Sequence, residues 1–496
     1  MSEAPTAIAA ARVSSGIDGL DIVLQGGFIR GGIYIVSGRP GAGKTILANQ
    51  TCFRHVATGG RAIYVTLLSE MHDALLTHMS RLAFFDRSVV GTSITYINGY
   101  TTLSSDGLEG LLKLLRDSLR AQGATLLVVD GMVTAELFAR SDVAYKRFIQ
   151  ELQTWVGLMG VTVLLLASTD MSKDVKPEHT MVDGIIEMRS RAVGQRWLRE
   201  LKVTKLRGSP FLEGRHAYRI SGEGIELYPR LEALYGRRRE GVHFDKRISI
   251  GVEALDELLG GGLYMGSTTL MLGPSGSGKT VLGLHFLHAG VAAGEPALCM
   301  GFAESPESIR AIMKRLGMNP NELLIEWQPA AELLLDAIGH RLIELVNKHG
   351  IRRLLIDGID GLSRATSYPE RLPAFFSVLV EELCARGVTT LITDEAREVF
   401  AQDMEMPGLT MSAICDNSLT LRQVQTEGEL NRLLSVLKTS ASSHSRGLYE
   451  FDITDRGIVI GRPLHMMKGA ATAAPVRTRR GKATKTAGSP RKKTRK

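Results

Sequence analysis

Residues 38–45 read GRPGAGKT and residues 273–280 read GPSGSGKT, one glycine-rich pattern used twice, 235 positions apart (273 − 38). In a GxxxxGK[ST] loop the glycines let the backbone curl with its N–H groups turned inward. Those donors, with the N-terminus of the helix that follows, cradle phosphates. Gly38, Gly41 and Gly43 supply that backbone in the first copy, and Gly273, Gly276 and Gly278 in the second. Lys44 and Lys279 are expected to reach the β- and γ-phosphates of a nucleoside triphosphate, and Thr45 and Thr280 to place a hydroxyl on Mg²⁺. A later apolar strand in each copy ends in aspartate, ATLLVVDG at Asp130 and RRLLIDGID at Asp357. Such a carboxylate suits the role of holding the magnesium through water. A single match of this kind is sometimes only a glycine-rich turn before a lysine. Two in register, each with a strand before, a helix after and a strand-terminal Asp later, point to ATP and Mg²⁺ at both.

Hydrolysis needs one more group, which orients or deprotonates the attacking water. It is expected at the end of the strand beside the P-loop strand. That place is read as Glu304 in GFAESPE and as Glu70 in VTLLSEMHD. The plainer reading of both is a surface glutamate at the start of a helix.

The elements that must position these residues also recur. VSSGIDGLDIVLQGGFIRGGIYIVSG opens the first copy and ISIGVEALDELLGGGLYMGSTTLMLG the second. Each continues with a helix, a strand ending in polar residues, the Asp strand, and a strand ending in Ser/Thr–Asp. Strands alternating with helices predict an α/β fold with a mostly parallel, doubly wound sheet in each copy. LLVVD is a continuous apolar run, as a strand covered on both faces should be. The expected domains are 12–235 and 242–465, divided near the charged stretch YGRRREGVHFDKR.

Apolar content of 44% and charged content of 23% are those of a globular protein. No run approaches the ~18 apolar residues of a membrane span, and the N-terminus lacks the basic and apolar regions of a signal peptide. The four cysteines, Cys52, Cys299, Cys384 and Cys415, fall outside metal-ligand or CxxC spacing. A cytoplasmic protein with reduced thiols is expected. Residues 466–496 hold eleven Lys or Arg and no Asp or Glu, so removing them takes the formal charge from +8 to −3. That basic tail buries too little apolar surface to offset its ordering entropy and is expected to be disordered.

The duplicated GxxxxGKT loops, the LDxxL openings followed by glycines, and the order of strands together resemble the KaiC family over residues 12–465. These are double-domain RecA-like ATPases known from the cyanobacterial circadian clock. The resemblance implies a homohexamer of two stacked rings with ATP between neighbouring subunits. It also implies ATPase activity, and serine/threonine autokinase and autophosphatase activity in the second ring. The carry-over is uneven. The family's pair of adjacent glutamates falls here on Leu68 and Ser69, with Glu70 one place late, and on Ala303 and Glu304. The family's KLRG stretch, whose cations reach the neighbour's ATP, is kept as Lys205 and Arg207. In the second copy KTSA keeps Lys438 and puts Ser440 where the arginine belongs, which predicts a slow second site. In MSAICDNS, Ser412 matches the family's phosphorylated serine, and Ala413 replaces the threonine. A two-site phosphorylation cycle is therefore not expected, and Ser412 is the candidate phosphosite. KaiB-like proteins or two-component signalling proteins are plausible partners, in clock-like, stress or signalling regulation. Two rival readings stand beside this one: a DNA-acting RecA-type ATPase that binds nucleic acid through the basic tail, and a nucleotide-gated scaffold with little turnover.

Overall fold

The computed structural model describes residues 11–68, 72–168, 180–193, 196–236, 245–302, 304–328, 334–359, 362–363, 366–395, 409–426, 429–440, 444–455 and 457–463. The basic tail and its expected disorder lie outside these residues.

Two nine-stranded sheets form, one from each copy. In the first, the P-loop strand β1 (Ile33–Gly38) leads into helix α1 (Lys44–Ala57). Strands β2 (Ala62–Thr66), β3 (Ile94–Asn98), β4 (Leu126–Asp130) and β5 (Thr162–Ala167) follow, separated by helices that include α2 (Tyr100–Gln122) and α3 (Asp142–Met159). Four more strands complete the sheet, β6 (Gly184–Val193), β7 (Arg196–Leu206), β8 (His216–Ser221) and β9 (Gly224–Tyr228). The spatial order is β9-β8-β7-β6-β1-β5-β4-β2-β3. From β6 to β3 the strands are parallel, and β6 to β9 form an antiparallel meander.

The two faces of the sheet can be read off β5. Leu164 and Leu166 pack with Leu47 of α1, while Val163 and Leu165 pack with Leu115 of α2 and Leu152 of α3. Period-two alternation between two apolar layers is what a sheet covered on both sides requires.

The short helix α4 (Leu231–Tyr235) follows β9. The second sheet then repeats the first, with β10 (Thr268–Gly273), α5 (Lys279–Ala292), β11 (Ala297–Gly301), α6 (Pro306–Arg315), β12 (Leu324–Trp327), α7 (Leu335–His349), β13 (Arg353–Asp357), α8 (Leu372–Ala385), β14 (Thr389–Glu395), α9 (Leu409–Ile414), β15 (Asn417–Thr426), β16 (Glu429–Thr439), β17 (Tyr449–Thr454) and β18 (Gly457–Pro463). Its order, β12-β11-β13-β14-β10-β15-β16-β17-β18, is the first sheet's order counted from the other edge. The antiparallel extensions were not expected from the sequence.

Helix α4 joins the halves. It lies within the stretch read as the first domain, yet Leu231 is fully buried in the second core. Beside it, Arg371 bonds Glu232 at 2.9 and 2.7 Å and Asp336 of α7 at 3.1 and 2.8 Å. Tyr368 donates to Glu200 of β7 at 3.2 Å, and the Arg191 guanidinium of β6 lies 4.8 Å from the Tyr368 ring centre. A cavity of about 1270 Å³ opens between the halves, lined by Trp197, Arg199, Tyr228, His340 and Arg341 among others. No helix among the described residues is long and apolar enough to cross a membrane.

A duplicated candidate nucleotide site

Each P-loop sits where a buried strand turns into a 14-residue helix. Gly43 and Gly278 cap α1 and α5 in the left-handed conformation, at φ 96° and 101°, with no side-chain cap bond. A Cβ there would be strained and would meet Ile220 or Ile453 at 2.7 or 2.8 Å. Gly38 and Gly273 are needed for a different reason: a Cβ would approach the carbonyl oxygens of Met188 and Leu421 within 2.4 and 2.7 Å. Space is open around Gly41, and Gly276 has only the Gln423 side chain near it, at 3.9 Å. The uncapped N–H groups of the first helical turn face this loop.

The charged groups follow the same plan twice. Lys44 Nζ donates to the carbonyls of Gly38 and Arg39 at 2.7 and 3.1 Å, and Lys279 Nζ to those of Gly273 and Pro274 at 2.6 and 2.8 Å. Burial pulls both ammonium groups below the ordinary lysine range. Bringing negative charge to the loop relieves that penalty. Thr45 donates to Asp130 at 3.0 Å, and Thr280 to Asp357 at 2.9 Å. Hydroxyl and carboxylate thus stand side by side next to the lysine, as oxygen donors for a hard cation such as Mg²⁺ must. The two donor sets fit a magnesium nucleoside triphosphate.

The support behind the two aspartates differs. In the first half Tyr64 of β2 donates to Asp130 at 2.7 Å. In the second half Thr393 of β14 donates to Asp357 at 2.6 Å and accepts from the N–H of Gly358 at 2.8 Å. Neither residue was picked out from the sequence. For Tyr64 the available signal was a hydroxyl within the otherwise apolar strand AIYVT; Thr393 is one of three threonines in TTLITDE and does not stand out.

Glu304 requires a correction. It was read as ending the strand beside the P-loop strand, but the sheet order places β13 and β14 between β11 and β10. In the first half β4 and β5 likewise separate β2 from β1. The physical reason is the crossover: the helix after the P-loop carries the chain past two strand positions before it re-enters the sheet. The true neighbours of the P-loop strands are β5 and β6, and β14 and β15. Glu304 directly precedes Ser305, the residue that caps α6 by accepting from the Ser308 N–H at 3.2 Å. Glu70 and Ala303 lie outside the described residues.

Lys205 and Arg207 are not brought to their own P-loop. Lys205 pairs with Ile185, which pairs with Ile35, three residues and so ~10 Å short of Gly38 along the sheet. Both side chains donate to the carbonyl of Thr180. Lys438 stands at the matching level of the second sheet, where Ser418 pairs with both it and Leu270. Its Nζ donates to the carbonyls of Ser412 and Cys415 at 3.1 and 2.8 Å. Ser412, half-buried on α9, is therefore next to Lys438 and away from its own P-loop. Ser440, in the place of the expected arginine, turns its hydroxyl back onto the Asp416 carbonyl at 2.9 Å.

Comparison with known proteins agrees with the duplication. The family model described as "ATPase: KaiC" matches twice, at residues 13–232 and 248–465. The circadian clock oscillator protein KaiC of Thermostichus vulcanus is 26% identical over 491 residues, covering 94% of this chain and 92% of that protein. The protein of the same name from Picosynechococcus sp. is 26% identical over 488 residues, covering 93% and 92%. The circadian clock oscillator protein KaiC 1 of Synechocystis sp. is 25% identical over 470 residues, covering 90% and 88%.

Proposed function

The chain belongs to the KaiC ATPase family, and from that premise we propose that it binds Mg²⁺ and ATP at both P-loops and hydrolyses ATP as a homohexamer of two stacked rings. One observation carries the reading: lysine, hydroxyl and carboxylate converge on each P-loop, while Lys205, Arg207 and Lys438 stand toward the strand ends opposite it. Cations so placed serve a nucleotide held by a neighbouring copy. Bound Mg²⁺ supplies charge neutralisation between the phosphates. Lys44 and Lys279 exchange their loop carbonyls for phosphate oxygens. Thr45 with Asp130, and Thr280 with Asp357, hold the cation side. Arg207 stabilises charge that develops in the neighbour's transition state, an effect worth about 10³–10⁵ in rate for arginines of this kind. Ser440 cannot do so, which makes the second ring the slower one.

The second ring takes a reduced autokinase role. Ser412 lies beside Lys438, so the ATP that phosphorylates it belongs to the adjacent subunit. Ala413 offers no hydroxyl, so one serine is modified where a Ser–Thr pair would carry two. The state of the rings is then read by partner proteins, with KaiB-like and two-component signalling proteins as the classes to screen.

Labelled ATP tests this reading on the wild type and on Lys44→Ala, Lys279→Ala and Ser412→Ala. Protein-bound label lost in both Lys279→Ala and Ser412→Ala, with ADP release reduced by Lys44→Ala, is the expected result. Absence of ADP release from the wild type overturns the ATPase reading. Label that persists in Ser412→Ala overturns the phosphosite.

A further inference from the structure

We propose that Glu395 is the catalytic base of the second nucleotide site, the carboxylate that takes the proton from the water attacking the γ-phosphate. The proposal rests on the reading above that the second P-loop holds and hydrolyses ATP. Its ground is the sheet register. Strand β14 lies directly beside the P-loop strand β10 and runs parallel to it, pairing Gly273 with Glu395. The first residue of the P-loop and Glu395 are therefore level at the carboxyl end of the sheet, where ligands bind in open α/β folds.

The face is fixed by alternation. Leu391 packs in the apolar layer with Leu282 of α5, and Thr393 bonds Asp357. Residues two apart on a strand share a face, so Glu395 lies on the side of the sheet that carries Lys279, Thr280 and Asp357. Glu395 is exposed at the strand end, where a water can reach it and a proton can leave. Glu304, by contrast, follows a strand two places further from the P-loop.

At the matching position the first half has no carboxylate. Val36 pairs with Leu166 where Met271 pairs with Thr393, and Ser37 pairs with Ala167 where Leu272 pairs with Asp394. The next residue is Ser168, at the position of Glu395. Domain two thus carries its own base where domain one has a serine, and the two rings differ in how water is activated.

The step balances. The water oxygen forms a bond to the γ-phosphorus, and the bond from that phosphorus to the β,γ-bridging oxygen breaks. Its electron pair leaves with ADP. Glu395 takes the water proton and returns it to solvent.

The test uses the full-length assembly, loaded with ATP, freed of excess nucleotide and sampled over time. Retained nucleotide is extracted and separated into ATP and ADP. Wild type is expected to convert both bound equivalents. Glu395→Gln is expected to bind the same total nucleotide but keep one equivalent per chain as ATP, with its conversion slowed at least about 100-fold, as loss of a general base does. Adding Lys279→Ala should remove that retained equivalent, which assigns it to the second site, and Glu395→Asp should convert part of it. Conversion in Glu395→Gln within twofold of wild type, or loss in Glu304→Gln instead, overturns the assignment. Loss of nucleotide content in Glu395→Gln also overturns it, since the residue would then be structural. Wild type that keeps the second equivalent as ATP overturns the hydrolytic reading of that site itself.

Discussion

Arg371 holds the two halves together, and removing it should be costly in a way that depends on pH. Its guanidinium forks onto Glu232 of α4 and Asp336 of α7, with side-chain exposures of 17%, 11% and 2% for the three residues. Arg371→Met keeps most of the stem and leaves two buried carboxylates facing each other. Breaking a buried pair by removing one partner costs about 3–5 kcal/mol. At about 2–4 °C per kcal/mol for a unit of this size, the unfolding temperature of the second half should fall by about 6–20 °C. Asp336 sets the pH dependence. Burial already holds its carboxyl above the ordinary range despite Arg371, whereas Glu232 is held below its ordinary range, its bonds to Arg371 outweighing its burial. Without the arginine, Asp336 rises further. An acid whose folded pKa is raised destabilises the fold above that pKa and does so less as the proton returns. The deficit of Arg371→Met should therefore be largest near pH 8 and shrink toward pH 5. Asp336→Asn placed in the same background should recover much of it. Scanning calorimetry at fixed protein and ATP concentration measures this, since bound nucleotide shifts the transition by mass action. A deficit below about 1 kcal/mol, or one that stays constant between pH 8 and pH 5, would refute the reasoning.

Three further outcomes are expected. Tyr64→Phe removes the donor that orients Asp130 and should weaken magnesium-nucleotide affinity at the first site about 10- to 100-fold, as loss of an outer-shell partner does; isothermal titration should show the second site unaltered. Ser440→Arg restores a cation beside Lys438 and should raise turnover at the second site at least about tenfold; a rate that does not move would show that this end of the sheet faces no neighbouring nucleotide. His216 is fully buried, with Nδ1 accepting the Arg230 N–H and Nε2 facing the Leu212 carbonyl, and burial pushes its pKa down to about 4. A base whose folded pKa is lowered contributes stability that is complete above pH ~6.5 and lost as the pH falls toward 4. The contribution approaches about 3 kcal/mol, so a His216→Gln chain should show a flatter stability profile in that window.

The parts of the site legible in the sequence were those that local chemistry demands. Glycines at 41, 43, 276 and 278 are required by backbone conformation, and the strand-ending aspartates stand out against apolar runs. The parallel core followed from alternating strands and helices. What was hidden depends on which strands become neighbours. β11 follows the P-loop helix in the chain, yet β13 and β14 lie between it and β10, so the residue that ends the strand beside the P-loop strand is Glu395 and not Glu304. Tyr64 and Thr393 support their aspartates from different strands, a difference no motif encodes. The docking of α4 on the second core was equally hidden, because Leu231 and Glu232 look like any short amphipathic turn until Arg371 and Asp336 are brought to them.

Two working nucleotide sites per chain is the central claim, and counting bound nucleotide tests it most directly. Purified full-length protein, saturated with Mg²⁺ and ATP and freed of excess, should release two equivalents of adenine nucleotide per chain on denaturation. Lys44→Ala and Lys279→Ala should each release one, and the double variant none. Two equivalents retained by either single variant, or one equivalent from the wild type, would contradict it.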